Sequence, residues 1–116
     1  GLNVTGTNPA NVSVRIYNVT DHNGTSPESE IPGVDNISTK IDTIIEYNNT
    51  VIATGNLSVI NGTCYSLGVI PVGLNKTFEL KMHLQEDAGN EYQGDFARFD
   101  IEFYAVQETQ NACPQL

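Results

Sequence analysis

The most frequent reactive groups in this chain are asparagine side chains that can accept N-linked glycans. Nine Asn-X-Ser/Thr sequons occur in 116 residues, whereas random placement of 13 Asn and 17 Ser plus Thr gives about two. A single sequon is unremarkable in an Asn- and Thr-rich β-protein, but nine together predict a glycosylated surface. They begin at Asn3, Asn11, Asn18, Asn23, Asn36, Asn48, Asn56, Asn61 and Asn75.

The middle residue of each sequon indicates which element carries the acceptor. On a strand, residues i and i+2 share a face, so Asn-Val-Thr buries its centre and points the acceptor outward. We therefore expect five acceptors on strands, where the centre is apolar, and four in turns. The apolar centres are Val4, Val12, Val19, Ile37 and Leu57, and the turn centres are Gly24, Asn49, Gly62 and Lys76.

Two cysteines, Cys64 and Cys113, fit the secretion that glycosylation requires. A disulfide between them would close a loop of about 50 residues and stabilise the fold by on the order of 4 kcal/mol. Two free thiols or a metal pair are the alternatives, and the lack of nearby His ligands disfavours the metal. We expect the disulfide, an extracellular location and a targeting segment removed before Gly1.

Charge and hydropathy exclude several classes of partner. Five Lys/Arg against 14 Asp/Glu give a net charge of -9, which argues against binding to nucleic acid or an anionic membrane. The longest apolar runs, such as 69–72, are too short to span a bilayer, so we expect no membrane insertion of the mature chain. The length predicts one domain with its own core.

Residues that could support catalysis lack the spacing that catalysis needs. A zinc protease requires two His one helical turn apart beside a Glu, whereas His22 and His83 are far apart in the chain. Ser66 lies outside a nucleophile-elbow motif. We therefore expect no enzyme activity and no cofactor.

An acidic turn near the C-terminal end has two further interpretations. Its paired carboxylates resemble a glycosidase site, but the chain has no Trp and no evident aromatic cleft for a sugar. Clustered oxygens around two glycines could bind calcium, although a solvated turn is the commoner meaning of such a run. We predict no bound metal. The residues concerned are Glu86, Asp87, Asn90, Glu91 and Asp95.

Alternating apolar and polar residues predict strands along most of the chain. The alternation is clearest in 78–84 and 99–105, where Phe78, Leu80, Met82, Leu84, Phe99, Ile101, Phe103 and Ala105 should face inward. Hairpin turns are predicted at Asn48-Asn49 and Asn61-Gly62, the second joining strands around 57–59 and 65–69. About seven to nine short strands predict an all-β fold, an antiparallel β-sandwich of jelly-roll-like form.

The first ten residues are predicted to form a separate arm. Leu2 and Val4 alternate with polar residues, and Pro9, which cannot donate to a β-ladder, separates them from a strand beginning near Asn11. Alternate apolar side chains on an extended segment are what strand addition to another chain requires. The alternative is that 1–7 pairs within its own domain or frays. The predicted division is an N-terminal donor-strand arm, 1–10, and a sandwich domain, 11–116.

Residues 86–95, Glu-Asp-Ala-Gly-Asn-Glu-Tyr-Gln-Gly-Asp, lead into 99–107, Phe-Asp-Ile-Glu-Phe-Tyr-Ala-Val-Gln. This acidic Gly-containing turn, Gln-Gly step and strand ending in an aromatic, Ala and Gln resembles the closing segment of the TasA/camelysin family. The resemblance implies secreted jelly-roll-like subunits of extracellular or biofilm fibres. The sequon density is most similar to archaeal relatives, whose bundling pili and thread filaments join subunits by N-terminal donor strands.

Two functions from different classes follow. The first is a structural subunit of a glycosylated cell-surface filament, a homopolymer in which Leu2 and Val4 enter a groove lined by the inward residues of 78–84 and 99–105 of the next copy. Such head-to-tail linkage has no closing symmetry. The second is a monomeric secreted cell-surface binding module of the same fold.

Overall fold

Antiparallel strands dominate the computed structural model, which describes residues 2–3, 8–22, 36–89, 92 and 94–113. A 3-10 helix, Ile37–Lys40, precedes the third strand, and a one-turn helix, α1 (Leu57–Ile60), joins the fourth strand to the fifth. The strands are β1 (Leu2–Asn3), β2 (Ala10–His22), β3 (Ile41–Tyr47), β4 (Thr50–Asn56), β5 (Cys64–Ile70), β6 (Asn75–Lys76), β7 (Phe78–Leu84) and β8 (Phe96–Gln107).

Two three-stranded antiparallel sheets form the sandwich. The first sheet has the order β5-β2-β8 and the second β4-β3-β7, while β1 and β6 make a separate two-stranded ladder. The predicted all-β antiparallel sandwich is confirmed. The nested pairing of β2 with β8 and of β3 with β7 is jelly-roll-like, although a full jelly roll has eight strands in its two sheets.

The core lies between the central strands β2 and β3. Alternate residues of β2 point inward, and Val14 and Ile16 are fully buried, as is Ile45 of β3. Leu57 and Ile60 of α1 complete the same cluster. Because both central strands are flanked on two sides, their inward side chains are removed from water most completely near the middle of β3 and in the first half of β2.

The hairpin predicted at Asn48-Asn49 is present between β3 and β4. Both residues have positive φ, 50° and 66°. A two-residue type I′ turn requires this left-handed pair, and Asn tolerates it better than most residues. The turn sets a register in which Tyr47 lies opposite Thr50.

The strand predicted around Leu57 and Val59 is wrong, because 57–60 forms a helical turn. The Asn56 Oδ1 accepts a hydrogen bond from the Val59 backbone N–H at 3.1 Å and so caps the turn. Leu57 and Ile60, three residues apart, share the buried face, whereas Val59 is 65% exposed. The hydrogen bond to Asn56 therefore favours a helical turn more strongly than the alternation of only two apolar residues favours a strand.

Two other sequon centres lie in elements that differ from the prediction. Ile37 is buried as expected, but in the 3-10 helix rather than a strand. Lys76 lies in β6 rather than a turn. Val12 is buried on β2 and Val19 is half-buried there, as predicted. Gly62 lies in a turn, as predicted, and Val4 and Gly24 lie outside the described residues.

The C-terminal segment 108–113 lies across the outer face of the first sheet. The sulfur atoms of Cys113 and Cys64 are bonded, as the sequence predicts. Ala112 is buried, and its carbonyl accepts a hydrogen bond from the hydroxyl of Ser13 on β2. This segment therefore covers outward residues of β2 that would otherwise face solvent.

Candidate functional site

The inward faces of both sheets are incompletely covered along one side of the sandwich. That side is bordered by β7 and β8, each of which is the edge strand of its sheet. We call the opening between them the β7/β8 cleft. Its half-exposed apolar side chains, with their exposed fractions, are Met82 39%, Leu84 48%, Ile101 43% and Phe103 42%.

The register of the ladders shows that these side chains belong to the inward faces. Directly opposite residues of an antiparallel pair share a face. Ile101 of β8 lies opposite Ile16, which is fully buried, and Met82 of β7 lies opposite Thr43, which is 1% exposed. In each sheet, the inward side chains are therefore buried on the central strand and half-exposed on the neighbouring edge strand. The other two pairs are Phe103 with Val14 and Leu84 with Ile41.

One end of the cleft is closed by an aromatic contact. The rings of Phe78 and Phe103 meet edge to face with their centroids 5.1 Å apart, a favourable geometry for aromatic pairs. Leu80 and Phe99 are half-buried against the core. These inward-facing residues therefore border the cleft, from the closed end at Phe78 to the exposed end at Leu84.

The opposite side of the sandwich is closed. There the edge strands β4 and β5 are bridged by α1, whose Leu57 and Ile60 side chains are at most 1% exposed. Helix α1 contacts both β4 and β2. The two long sides of the sandwich therefore differ, since α1 covers one of them and apolar side chains remain half-exposed on the other.

The outer edges of β7 and β8 have no strand partner among the described residues. Within the described part of the chain, β7 is paired only with β3, and β8 only with β2. Natural edge strands commonly avoid pairing with other chains by pointing charged residues inward. The inward residues of β7 and β8 are apolar, and the charged Glu79 and Lys81 alternate with them along β7. These edges lack that form of protection.

The start of the chain lies against its own domain. Leu2 pairs with Lys76, and Asn3 with Asn75, to form the β1–β6 ladder. Leu2 is half-buried and packs against the core cluster. In the single chain, Leu2 and Asn3 thus pair within their own domain, which is the alternative interpretation given above for 1–7. Val4 lies outside the described residues.

The arm joins the sandwich where β2 begins. Pro9 immediately precedes β2, whose first residue, Ala10, pairs with Ile70 and Gln107. Strand β2 therefore begins directly after Pro9. A cavity of about 300 Å³ lies at this junction and is lined by Asn8, Pro9, Gln107, Glu108 and Thr109.

None of the sequon asparagines lies on the two strands that border the cleft. No sequon follows Asn75, so neither β7 nor β8 carries one. Asn11 and Asn56 are half-buried, Asn23 lies outside the described residues, and Asn3 is placed by its backbone in β1. Five sequon asparagines are exposed: Asn18, Asn36, Asn48, Asn61 and Asn75.

We predict that Asn11 is glycosylated in only a minor fraction of molecules. Its Nδ2 donates to the Gln110 carbonyl at 2.8 Å, and the hydroxyl of its sequon partner Ser13 is fully buried. Attaching a sugar to that nitrogen requires displacement of the C-terminal segment. Mass spectrometry of glycopeptides measures the occupancy, and Cys113→Ser, which frees the segment, should raise it. Near-complete occupancy in the parent protein would contradict this prediction.

A polar and aromatic network surrounds Arg15 on the outer face of the first sheet. The Arg15 guanidinium lies 3.2 Å from the Glu102 carboxylate and 4.1 Å from the centre of the Tyr17 ring. A hydrogen bond from Tyr104 lowers the pKa of Glu102, and Arg15 lowers it further. The same hydrogen bond raises the pKa of Tyr104.

Glu102 should make the free energy of unfolding sensitive to acid. Because its pKa in the folded chain is below the ordinary value of 4.5, its contribution is present above that value and lost as the pH falls through the lower one. Glu102→Gln should therefore flatten the acid side of the stability profile, with a small change at pH 7. Urea unfolding across this range tests the prediction, and Glu86→Gln is the control. Parallel profiles for the parent and Glu102→Gln would contradict it.

The other residues considered for chemistry are dispersed. His22 ends β2 in the first sheet and stacks on Phe96, whereas His83 lies exposed on β7 in the second. Asp87 pairs with Lys40 at 3.4 Å, and Asn90 and Glu91 lie outside the described residues. Among the residues that are described, no three His, Cys, Asp or Glu side chains are grouped to hold a metal.

Comparison with known proteins adds no assignment. The chain matches no protein-family model, and neither the curated proteins nor the solved structures provide a similar protein. No helix in the described ranges has the length and apolar character needed to cross a membrane. The geometry of the β7/β8 cleft is therefore the main guide to function.

Proposed function

We propose that this protein is a structural subunit of a glycosylated extracellular filament, in which each copy inserts its N-terminal arm into the β7/β8 cleft of the next. The observation that carries the proposal is the half-exposure of inward apolar residues on both strands that border the cleft. An inserted strand would supply a main-chain partner, which neither edge has among the described residues, and apolar side chains for the inward faces.

The arm has the pattern that such a cleft accepts. Leu2 and Val4 are two residues apart, so on a strand they face the same side at a spacing of about 7 Å. Ile101 and Phe103 present the same spacing along β8. Insertion beside an edge strand would place the arm side chains among half-exposed residues of both sheets.

The charge and sequon distribution suits this assembly. A net charge of -9 and acceptors on other surfaces would oppose indiscriminate sticking between copies. The sequon-free strands β7 and β8 would stay accessible to an arm. N-linked glycans are thus proposed partners of the outer surface, while a second copy of the chain is the partner of the cleft.

The resemblance to the TasA/camelysin family points the same way. The resembling segment includes most of β8, the strand that borders the cleft in the first sheet. As a subunit like those of that family, this chain would be located in a filament at the cell surface. A single secreted binding module remains the second candidate, and it is favoured by the pairing of β1 with β6 of the same chain.

Electron microscopy of the purified native glycoprotein distinguishes the two functions. The subunit should form long unbranched fibres at concentrations where a binding module gives isolated particles. Dilution should shorten or dissolve the fibres only slowly, because each junction contains a buried strand. Isolated particles at every concentration tested would overturn the filament proposal.

A further inference from the structure

The exposed end of the β7/β8 cleft and the root of the arm lie at opposite ends of the sandwich. Strand β2 begins at Ala10, which pairs with Gln107, so the arm leaves the domain where β8 ends. At the other end, the Asp21 carboxylate accepts a hydrogen bond from the Ser38 backbone N–H at 2.7 Å. This bond holds the start of β3, and with it Leu84, near the start of β8. The 12 residues of β8 separate the two ends by about 36 Å.

We infer that an inserted arm pairs with β8 in the antiparallel direction, with its first residues deepest in the cleft. The contact of Phe78 with Phe103 closes the cleft near the end of β8, so the arm of another copy enters at the Leu84 end. The arm then runs inward from Pro9 to Leu2, which is antiparallel to β8 and parallel to β7. Antiparallel pairs are the more stable per residue, so β8 is the preferred edge.

The length of the arm fits the distance that it has to cover along β8. Leu2 and Pro9 are seven residues apart, as are Phe103 and Phe96. With Leu2 opposite Phe103, Pro9 lies opposite Phe96, which is the first residue of β8. Since proline cannot donate to a ladder, the pairing would end where the strand itself begins.

The same register matches the sizes of the inward side chains. Val4 lies opposite Ile101, which is half-exposed like Phe103. Two residues further along the arm, Gly6 lies opposite Phe99, whose side chain already packs against the core cluster. The arm would thus supply apolar side chains where β8 is uncovered and no side chain where β8 is covered.

The direction of the arm decides whether the assembly closes. Each copy donates at one end and accepts at the other, so growth is open. The reverse direction would place the donor at the end from which the acceptor's own arm leaves, and two copies could exchange arms and stop at a dimer. The inference rests on the proposed function and specifies the edge, direction and register of its contact.

Disulfide trapping in filaments of the full chain tests the inference. Leu2→Cys is combined with Phe103→Cys, and Val4→Cys with Ile101→Cys as a second pair that leaves the contact between Phe78 and Phe103 in place. After oxidation, bonds between copies appear on a non-reducing gel as a series of covalent oligomers that a reductant collapses. The parent chain stays a monomer on the gel because its own disulfide is within one chain.

Two control pairs place the second thiol at other inward positions. Leu2→Cys with Ala97→Cys tests the opposite end of β8, and Leu2→Cys with Leu80→Cys tests β7. Both Ala97 and Leu80 are partly buried against the core. Because a disulfide requires Cβ atoms about 3.5–4.5 Å apart, we expect at least about tenfold more covalent oligomer from each predicted pair than from either control pair.

More oligomer from the Ala97 pair would indicate the reverse direction, and more from the Leu80 pair would indicate the β7 edge. Either result would overturn the inference and leave the filament proposal intact. Covalent products that stop at the dimer would also overturn it, as would filaments in which no pair exceeds the parent. A parent chain that forms no filaments would instead overturn the proposed function on which the inference rests.

Discussion

A chain that begins at Ala10 should fold normally and form no filaments. Strand β2 starts at this residue, so deletion of 1–9 removes β1 and leaves both sheets with all their strands. The deletion also removes Leu2 and Val4, the side chains proposed to fill the neighbouring cleft. Circular dichroism should show an unchanged β-spectrum, while sedimentation and electron microscopy should show monomers at concentrations where the full chain polymerises.

A synthetic peptide of residues 1–9 provides a second readout that does not depend on polymerisation. It should bind the shortened chain saturably and reduce hydrogen exchange in β7 or β8, because these edges gain a ladder partner. The matched control is the same peptide with Leu2→Ser and Val4→Ser, which keeps its length and charge. Fibres formed by the shortened chain, or equal binding of both peptides, would contradict strand donation.

Ile101→Lys should strongly weaken assembly without unfolding the monomer. Ile101 is 43% exposed, so a lysine there can extend towards solvent in the isolated chain. An inserted strand would cover that position and strip water from the ammonium group, which is strongly unfavourable. We expect the concentration needed for assembly to rise by at least about tenfold, the equivalent of roughly 1.4 kcal/mol per junction.

Val69→Lys is the matched control for this substitution. Val69 is also a half-exposed apolar residue, at 44%, but it lies on β5 at the other edge of the first sheet. It pairs with Asn11 on the outward face of the sheet. The control should therefore polymerise like the parent, as measured by sedimentation against concentration. If both lysines raised the concentration needed for assembly equally, the contact between copies would not lie at the β7/β8 cleft.

The inward faces of the edge strands were predictable because they depend only on a period of two. Phe78, Leu80 and Met82 alternate with charged or polar neighbours, and burial of a sheet face requires that pattern. The turn at Asn48-Asn49 was equally local, since its residues tolerate positive φ. These features need no knowledge of which strands are neighbours.

The position of the open side was not predictable, because it depends on contacts between distant segments. Helix α1 closes one side of the sandwich. Because the sequence predicted a strand around 57–59, it did not indicate which side is closed. A single hydrogen bond from the Val59 N–H to the Asn56 side chain changes the local structure. The covering of Asn11 by the C-terminal segment depends likewise on a disulfide spanning 49 residues. The pairing of Asn3 with Asn75 in the β1–β6 ladder likewise joins residues that are more than half the chain apart.

A helical reconstruction of the native filament by cryo-electron microscopy is the decisive measurement. We expect continuous main-chain density from residues 2–5 of one copy lying between β7 and β8 of the next, with Leu2 and Val4 beside Ile101 or Met82. Density showing β1 on β6 of its own chain in every copy, with the β7/β8 cleft unfilled, would contradict it.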